Sequence, residues 1–439
     1  MPVVTTHIRK VQRVALVLLV ISGMVNFIDR GALAIANPLI RHDLGLSISQ
    51  MGLLLSSFLL AYSFGQLPIG GIVDRYGPRR VLTAGITLWS IAQLFGGLAT
   101  GFGSFVGARL LLGIGESPQF MSCVRVVRDW FNLRDRGLSN GILGGASSMG
   151  LAVAAPLLTW LMLSFGWRLM FVIMGLAGLV VAAIWYAAYR DVASAPLTDD
   201  ERAYLVAGEP VEPHRKITLH DWLQLFRFGT TWGVVLGFVG TVYVSTVYMT
   251  WLPGYLEMDR HVSIFKTGFM AGVPFLFGIV GSASGGLLVD VLVRRGVAPL
   301  TSCKVPVVGG LLGAAAFTAL VPAIGDNALA IAAISAAVFM GYMSTGAAWS
   351  LVSVVAPKNY VGSLAGMKNF GGYFGGAFAP AITGYIAETT HSFQLALLLG
   401  AAVGLLGALM YLFAVRRSIS ESELIGPGAA LATLAVRQE

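Results

Sequence analysis

Residues 51–80 read MGLLLSSFLLAYSFGQLPIGGIVDRYGPRR, and this stretch decides the fold. Its first part, 51–73, contains no charged residue and is long enough to cross the hydrocarbon of a bilayer, which takes about 20 residues of helix. The charges come only afterwards, in the pattern Gly70-x-x-x-Asp74-Arg75-x-Gly77-x-Arg79-Arg80. The stretch therefore predicts a membrane-spanning helix that ends in a basic loop.

The rest of the chain repeats this apolar pattern. Of its 439 residues, 56% are hydrophobic and 11% are charged, whereas a soluble chain carries about 25% charged residues. The composition excludes a soluble enzyme, a nucleic-acid-binding domain and a disordered protein. It predicts an all-α membrane protein with twelve transmembrane helices, near 14–37, 51–73, 81–99, 104–123, 138–163, 167–189, 229–256, 266–290, 303–323, 328–352, 361–387 and 392–414.

The basic residues predict the orientation, because positive charge favours the cytoplasmic loops. With both termini in the cytoplasm, that side holds 23 of the 29 lysines and arginines. The outside keeps Arg41, Arg168, Arg260 and Lys266. The cytoplasmic set comprises five basic residues between 190 and 227 together with Arg9, Lys10, Arg13, Arg75, Arg79, Arg80, Arg125, Arg128, Arg134, Arg136, Arg294, Arg295, Lys304, Lys358, Lys368, Arg416, Arg417 and Arg437.

One long loop divides the twelve helices into six and six. We predict a first six-helix bundle over 1–190, a cytoplasmic linker over 191–228, a second bundle over 229–416 and a cytoplasmic tail over 417–439. Within the linker, Thr198 and Glu201 have the spacing of a capping box, and Thr218 with Asp221 opens an amphipathic stretch. The linker is therefore expected to carry short interfacial helices rather than a separate domain.

The motif of residues 70–80 has a degenerate copy in the second half. Gly286-x-x-x-Asp290 follows the eighth predicted helix at an offset of 216 residues, and Arg294 and Arg295 come next. The glycines are expected to let two helices approach closely. The aspartates can accept hydrogen bonds from a neighbouring helix N-terminus, while the arginines stay with the headgroups. Two such copies at equivalent positions indicate two related halves.

Ionisable residues inside a membrane are costly and point to function. Four lie well within the predicted helices, all in the first half: Asp29 and Arg30 on the first helix, and Arg109 and Glu116 on the fourth. Arg109 and Glu116 share one helix face two turns apart. They could form two structural ion pairs between these helices. Alternatively, the two carboxylates take up protons while an arginine binds an anion.

The second half is predicted to have only neutral polar side chains deep in its helices. Tyr243, Trp349 and Asn369 are candidates there for recognising hydroxyl and carboxylate groups, as are Tyr62 and Gln66 on the second helix. Each of them alone is also compatible with a helix–helix hydrogen bond or an interfacial aromatic residue.

Several motifs are absent from the sequence. There is no G-x-x-x-x-G-K-[ST] phosphate loop for ATP, and there is no G-x-S-x-G element. All six histidines fall in predicted loops or termini, and the two cysteines lack metal-ligand spacing. We therefore expect neither an enzyme nor an ATP-driven pump, with no bound cofactor or metal and no nucleic-acid partner.

The motif at 70–80 and its copy resemble the signature of the major facilitator superfamily. Further motifs resemble its anion:cation symporter family, which includes bacterial sugar-acid/proton symporters: Asn26 to Arg30, Arg109 to Pro118, Trp130-Phe131 with Arg134 to Gly137, Thr250 to Leu256, and Gly366-x-x-Asn369. The resemblance implies two pseudo-symmetric six-helix bundles that rock about a central cavity.

The resemblance also implies roles for individual residues. Asp29 and Glu116 would be the protonation sites, and Arg109 would tune Glu116. Arg30 would hold the substrate carboxylate with Tyr62 beside it, and Trp349 and Asn369 would contact the substrate from the second half. Ser147 falls where sugar-acid members often have a glutamine. Apolar residues around 238–242 stand where hydroxyl-binding residues are expected, which suggests fewer substrate hydroxyls or a different binding mode.

These residues predict a proton-coupled importer of a small organic anion, such as an aldonate, aldarate, hexuronate or related hydroxy-carboxylate. Protonation of both carboxylates would free Arg30 for the anion, and deprotonation would restore the ion pairs. The expected setting is the bacterial inner membrane, with the lipid bilayer and the anion as partners and a monomer as the working unit. An aromatic-acid or dicarboxylate transporter, or an exporter or exchanger of the same fold, is the alternative.

Overall fold

The computed structural model describes residues 5–132, 136–206, 219–357 and 360–424, and over these residues it contains helices and no β-strand. The helices are α1 Thr6–Leu44, α2 Ile48–Tyr76, α3 Pro78–Gly97, α4 Phe102–Glu116, α5 Pro118–Trp130, α6 Arg136–Ala188, α7 Asp199–Val206, α8 Leu219–Gln224, α9 Gly229–Met258, α10 Ile264–Met270, α11 Val273–Arg294, α12 Pro299–Leu320, α13 Asn327–Val355, α14 Val361–Gly376, α15 Phe378–Thr390, α16 Gln394–Phe413 and α17 Glu421–Leu424.

The longest helix, α6, makes two crossings rather than one. Gly166 interrupts it with φ 80° and ψ 159°, a conformation that favours glycine. Arg136 Nη2 donates a hydrogen bond to the carbonyl of Arg128 at 2.7 Å, and Trp130 Nε1 donates one to the carbonyl of Arg190 at 3.2 Å. The beginning of α6 and the residues just after its end therefore both lie beside the end of α5, so α6 is a hairpin.

The described helices make the twelve predicted crossings. Eight helical segments are long and apolar enough to span a membrane, and α6 supplies two crossings. The other three are α3, the pair α4 and α5, and the pair α14 and α15. The break between α4 and α5 has a local cause, since Pro118 has no amide hydrogen to continue the helix after Glu116. This break places Glu116 at the end of a helix in the middle of a crossing.

The two ends of the molecule differ in charge. We call the end that holds Arg75, Arg125 and Lys304 the basic end, and the end that holds Arg41 and Glu388 the opposite end. Lys304, near the start of α12, donates hydrogen bonds at 2.8 Å to the carbonyls of Leu412 and Val415 at the end of α16. These two helix ends therefore both lie at the basic end. The described parts of the N- and C-terminal segments also lie at the basic end, because Gln12 Nε2 donates to the carbonyl of Trp130 and the Ile419 amide to that of Val355.

The two bundles meet closely at the opposite end. The Ser49 amide of α2 donates to Glu388 Oε2 of α15 at 2.6 Å, and the Ala381 amide donates to Ser56 Oγ at 3.0 Å. At Gly52 the backbones approach so closely that a Cβ atom would lie 2.6 Å from the carbonyl oxygen of Pro380. Here α2 packs against α15 without room for a side chain, so the path between the bundles is closed at this end.

The predicted close approach at the motif glycines is absent from this structure. A Cβ atom at Gly70 or at Gly286 would have no neighbouring atom within 4 Å. The prediction is wrong for this structure. The close approach of α2 to α15 occurs at Gly52, at the opposite end of α2 from Gly70. Asp74 pairs with Arg125 of α5 instead of capping a helix, and Asp290 is exposed.

The capping role expected of Asp74 belongs to Asp191. Its Oδ1 accepts the backbone amide of Arg79 in the first turn of α3 at 3.1 Å. A side chain at Gly77 would collide with this carboxylate, because a Cβ atom there would lie 2.6 Å from Asp191 Oδ2. Arg79 also donates to the carbonyl of Tyr186, while the Arg75 guanidinium lies over the ring of Tyr76. The motif thus ties α3 to the end of α6.

The linker contains the short helix predicted from its capping box. Glu201 accepts the amide of Thr198 at 3.2 Å, and Thr198 Oγ1 accepts the amide of Glu201 at 3.3 Å at the start of α7. Residues 207–218 of the linker, including Thr218, lie outside the described residues, as do 425–439 of the tail and Arg134, Lys358 and Arg437. The exact bundle boundaries stay predictions.

Candidate functional site

An ion pair buried between α1 and α4 forms the centre of the site. Arg30 Nε lies 2.7 Å from Glu116 Oε2, and the two side chains are 4% and 0% exposed. A charged pair this deep in a membrane helix bundle is costly unless further partners satisfy it. The sequence predicted all four charged residues here, and the structure assigns Glu116 to Arg30 rather than to Arg109 on its own helix.

Aromatic rings surround the two arginines. The Arg30 guanidinium carbon lies 4.5 Å from the ring centre of Tyr62 and 5.1 Å from that of Phe58, and that of Arg109 lies 4.8 Å from the same Phe58 ring. Cation–π contacts of this kind stabilise a desolvated guanidinium by about 2 kcal/mol. They keep both arginines in the protein interior without neutralising their charge.

Several polar atoms of this cluster have no hydrogen-bond partner within the described part of the chain. They are both carboxylate oxygens of Asp29, Oε1 of Glu116, and Nε and Nη1 of Arg109. Asp29 is fully buried, and Arg109 is nearly so. Unsatisfied buried polar groups are expensive, so each of these atoms calls for a partner such as a proton, a water or a ligand. The second structural ion pair that would make the cluster purely architectural is not formed between these residues.

Tyr62 carries the site across to the second bundle. Its ring packs edge-on against that of Tyr373 on α14, with 5.0 Å between centres. Gln66, one helical turn further along α2, is buried with both amide atoms unpartnered, and Asn369 on α14 is buried with Oδ1 unpartnered. Three predicted binding residues thus lie on the two helices that meet here.

The prediction for the second half was wrong in one respect. The count of basic residues places Lys368 on the cytoplasmic side, but the residue lies within α14 and is 0% exposed. Its ammonium nitrogen lies 3.5 Å from the ring centre of Trp349 and 4.3 Å from that of Phe238. Its position within the predicted helix 361–387, next to Asn369, was the signal that could have revealed it.

The remaining predicted site residues lie apart from the charged cluster. Trp349 of α13 stacks on Phe120 of α5 at 5.1 Å, so it reaches the other bundle. Tyr243 of α9 is buried in the apolar core, and Ser147 lies on α6, half-buried. No described contact brings Tyr243 or Ser147 to Arg30. Within the described residues, no group of three His, Cys, Asp or Glu side chains is arranged to hold a metal.

Comparison with known proteins supplies the family. The sequence profile of the Major Facilitator Superfamily matches residues 19–380. A probable L-galactonate transporter of Escherichia coli (strain K12) is 40% identical over 95% of this chain and 92% of its own length. A probable galactarate/D-glucarate transporter of Bacillus subtilis (strain 168) is 32% identical over 89% of each.

A solved structure shares the fold. The crystal structure of a D-xylose-proton symporter superposes with a TM-score of 0.70 at 15% identity, covering 92% of this chain and 98% of the other. The twelve crossings, the repeated motif at 70–80 and these matches agree, and the chain belongs to the major facilitator superfamily.

Proposed function

We propose that this chain is a proton-coupled importer of a sugar acid in the bacterial inner membrane. The observation that carries the proposal is the buried Arg30–Glu116 pair beside an unpartnered Asp29 and an unpartnered Arg109. Such a cluster can bind protons and an anion together, whereas a purely structural cluster would be satisfied internally. The galactonate and galactarate/glucarate transporters named above support a sugar acid as the substrate.

The charge of the cluster links protons to the anion. With both carboxylates ionised, Asp29, Arg30, Arg109 and Glu116 sum to zero, so an anion gains nothing by entering. With both protonated, the cluster carries two positive charges, and Arg30 is released from Glu116. A carboxylate then pairs with the freed guanidinium, which is the residue best shaped to bind it through two hydrogen bonds.

Alternating access makes this coupled binding of protons and anion directional. The proton and substrate enter while the opposite end is open, the bundles rock, and the substrate leaves at the basic end. We take the basic end as cytoplasmic because positive residues favour that side. The present state has the opposite end closed and Arg30 paired with Glu116. The Arg30–Glu116 pair is the form of the cluster expected once the protons have left inward.

The remaining polar residues would recognise the rest of the substrate. We assign Tyr62 and Gln66 as the substrate-binding residues of the first bundle, and Trp349 and Asn369 as those of the second. Tyr243 and Ser147 would contribute in a state in which the bundles have moved. The protein is taken to work as a monomer, with a proton and no other cofactor.

The test is proton movement into proteoliposomes, followed with an internal pH dye while a panel of organic anions is added. The panel contains L-galactonate, galactarate, a hexuronate and a simple aromatic acid. We expect acidification with a sugar acid, its loss in E116Q, and survival of substrate exchange in that variant, because the uncharged amide of a glutamine cannot release a proton. E423Q, which alters an exposed carboxylate bound to Arg417, is the control.

Three results would contradict the proposal. Proton-driven uptake at the wild-type rate in E116Q would remove Glu116 from the coupling site. Silence of folded wild-type protein across the sugar acids, with a response to the aromatic acid, would move the substrate to another class. Exchange without proton movement would identify an exchanger of the same fold.

A further inference from the structure

We propose that the Lys368 ammonium binds a second carboxylate of the substrate, so that the site is built for a sugar acid with an anionic group at each end. This inference rests on the proposed sugar-acid function and specifies the substrate class within it. One carboxylate would be held by Arg30 in the first bundle, and the other by Lys368 in the second.

The environment of Lys368 is that of a cation without its anion. The side chain is fully buried, and its nitrogen has no hydrogen-bond partner among the described residues. The rings of Trp349 and Phe238 contact it through their faces. Cation–π contacts offset only part of the several kcal/mol that burying an ammonium costs. A carboxylate brought in by the substrate would supply the missing counter-charge and hydrogen bonds.

Lys368 lies beside the interface between the bundles. Trp349, directly beneath its ammonium, stacks on Phe120 of the first bundle. On its other side Phe238 contacts Tyr373 at 6.4 Å between ring centres, and Tyr373 contacts Tyr62, which lies under Arg30. A continuous row of aromatic rings thus joins the two cations, with one cation at each end and the bundle interface between them.

The distribution of charge favours a dianion over a monoanion. With Asp29 and Glu116 protonated, three buried cations remain: Arg30, Arg109 and Lys368. A monocarboxylate that pairs with Arg30 leaves Lys368 unpaired in a different bundle. A substrate with a carboxylate at both ends neutralises Arg30 and Lys368 together and connects the two bundles, which is the contact that favours their joint movement.

Galactarate and L-galactonate form a matched pair of ligands for the test, because galactarate has a carboxylate where galactonate has a terminal hydroxymethyl group. Binding of each to the purified full-length protein is measured by calorimetry for wild type, K368Q and K304Q. Charged hydrogen bonds of this kind change affinity by about tenfold or more. We expect K368Q to weaken galactarate at least tenfold and L-galactonate less than threefold.

The ligand pair controls for folding. Unchanged L-galactonate binding shows that K368Q is intact. K304Q loses a lysine that donates to the backbone carbonyls of Leu412 and Val415, away from the site, and should leave both affinities unchanged. If K368Q does not fold, K368M, which is apolar and similar in length, takes its place. An equal loss for both ligands, or no loss for galactarate, would overturn the proposal. Wild-type protein that binds neither of these acids nor the hexuronate of the panel would instead refute the sugar-acid function itself.

Discussion

Alanine at Gly52 should prevent the opposite end from closing. Gly52 lies on α2 where the backbone of α15 comes closest, and a Cβ atom there would be 2.6 Å from the carbonyl oxygen of Pro380 and 3.1 Å from the Cα of Ala381. Both neighbours are backbone atoms, so they cannot rotate away as a side chain would. The added methyl group must push the two bundles apart.

The size of the effect follows from this geometry. The carbonyl oxygen must retreat from 2.6 Å to beyond 3.0 Å, the shortest separation that real Cβ atoms make. Overpacking a close contact costs about 1–3 kcal/mol. The methyl group penalises only the closed form of this end, so the population should shift by about 5- to 150-fold toward the form that is open there.

Thiol labelling measures this shift. A cysteine placed at Ser56, which is buried between α2 and α15 and accepts the Ala381 amide, should react with a maleimide only when that end opens. We expect G52A to raise the labelling rate of S56C protein by the factor given above and to slow uptake. The native Cys123 and Cys303 are buried, and protein without S56C gives their background.

Gly103 provides the matched control. It lies in α4, and a Cβ atom there would meet nothing within 4 Å, so G103A should leave labelling and uptake unchanged. Equal labelling rates in S56C protein with and without the G52A substitution would refute the assignment of this contact as the closed gate.

Two further predictions concern hydrogen bonds outside the charged cluster. Tyr248 Oη donates a hydrogen bond to the buried Thr318 Oγ1 at 2.8 Å, so Y248F should lower the free energy of unfolding by about 1–2 kcal/mol. The measurement is the melting temperature, with the exposed Y186F as the control. An unchanged melting temperature in Y248F would contradict the prediction. Hydrogen bonds from Thr5 and the Thr198 amide lower the pKa of Glu201 below its usual range. The stability they add is present above the ordinary glutamate pKa of about 4.3 and is lost as the pH falls through the lowered value. The backbone amide hydrogens of α1 that follow Ile8 should then exchange faster with solvent than the pH dependence of an unprotected amide predicts. E201Q should remove this additional pH dependence.

Much of the fold was predictable because the bilayer constrains it so strongly. Apolar length alone predicted the twelve crossings, including those that the structure breaks in the middle. The expectation of a transporter rather than an enzyme is confirmed by membership of the superfamily. The breaks themselves depend on local chemistry, as at Pro118. The open space at Gly70 could not be predicted, because the motif does not specify which helices approach that end of α2 in the folded bundle.

Lys368 shows why counting the basic residues on each side of the membrane fails to locate a lysine inside a helix bundle. Such a count assigns lysines to the cytoplasm because exposing an ammonium to lipid is costly. The fold avoids that cost by placing Lys368 on the face of α14 that meets Trp349 and Phe238, away from lipid. Which face of a helix is sheltered depends on its neighbours. The helix limits alone therefore carry too little information to locate such a residue.

The partner of Glu116 was decided by tertiary packing in the same way. Arg109 lies seven residues before Glu116 on the same helix face, which is about 10 Å along the helix axis. Arg30 lies on α1, and its Nε is 2.7 Å from Glu116 Oε2. Because Arg30 is the residue that we assign to the substrate carboxylate, its pairing makes Glu116 and the substrate compete for one guanidinium. Protonation of Glu116 and arrival of the anion then favour each other by necessity, whichever comes first. Coupling needs no contact between proton and substrate; it needs only that Arg30 cannot serve both carboxylates at once.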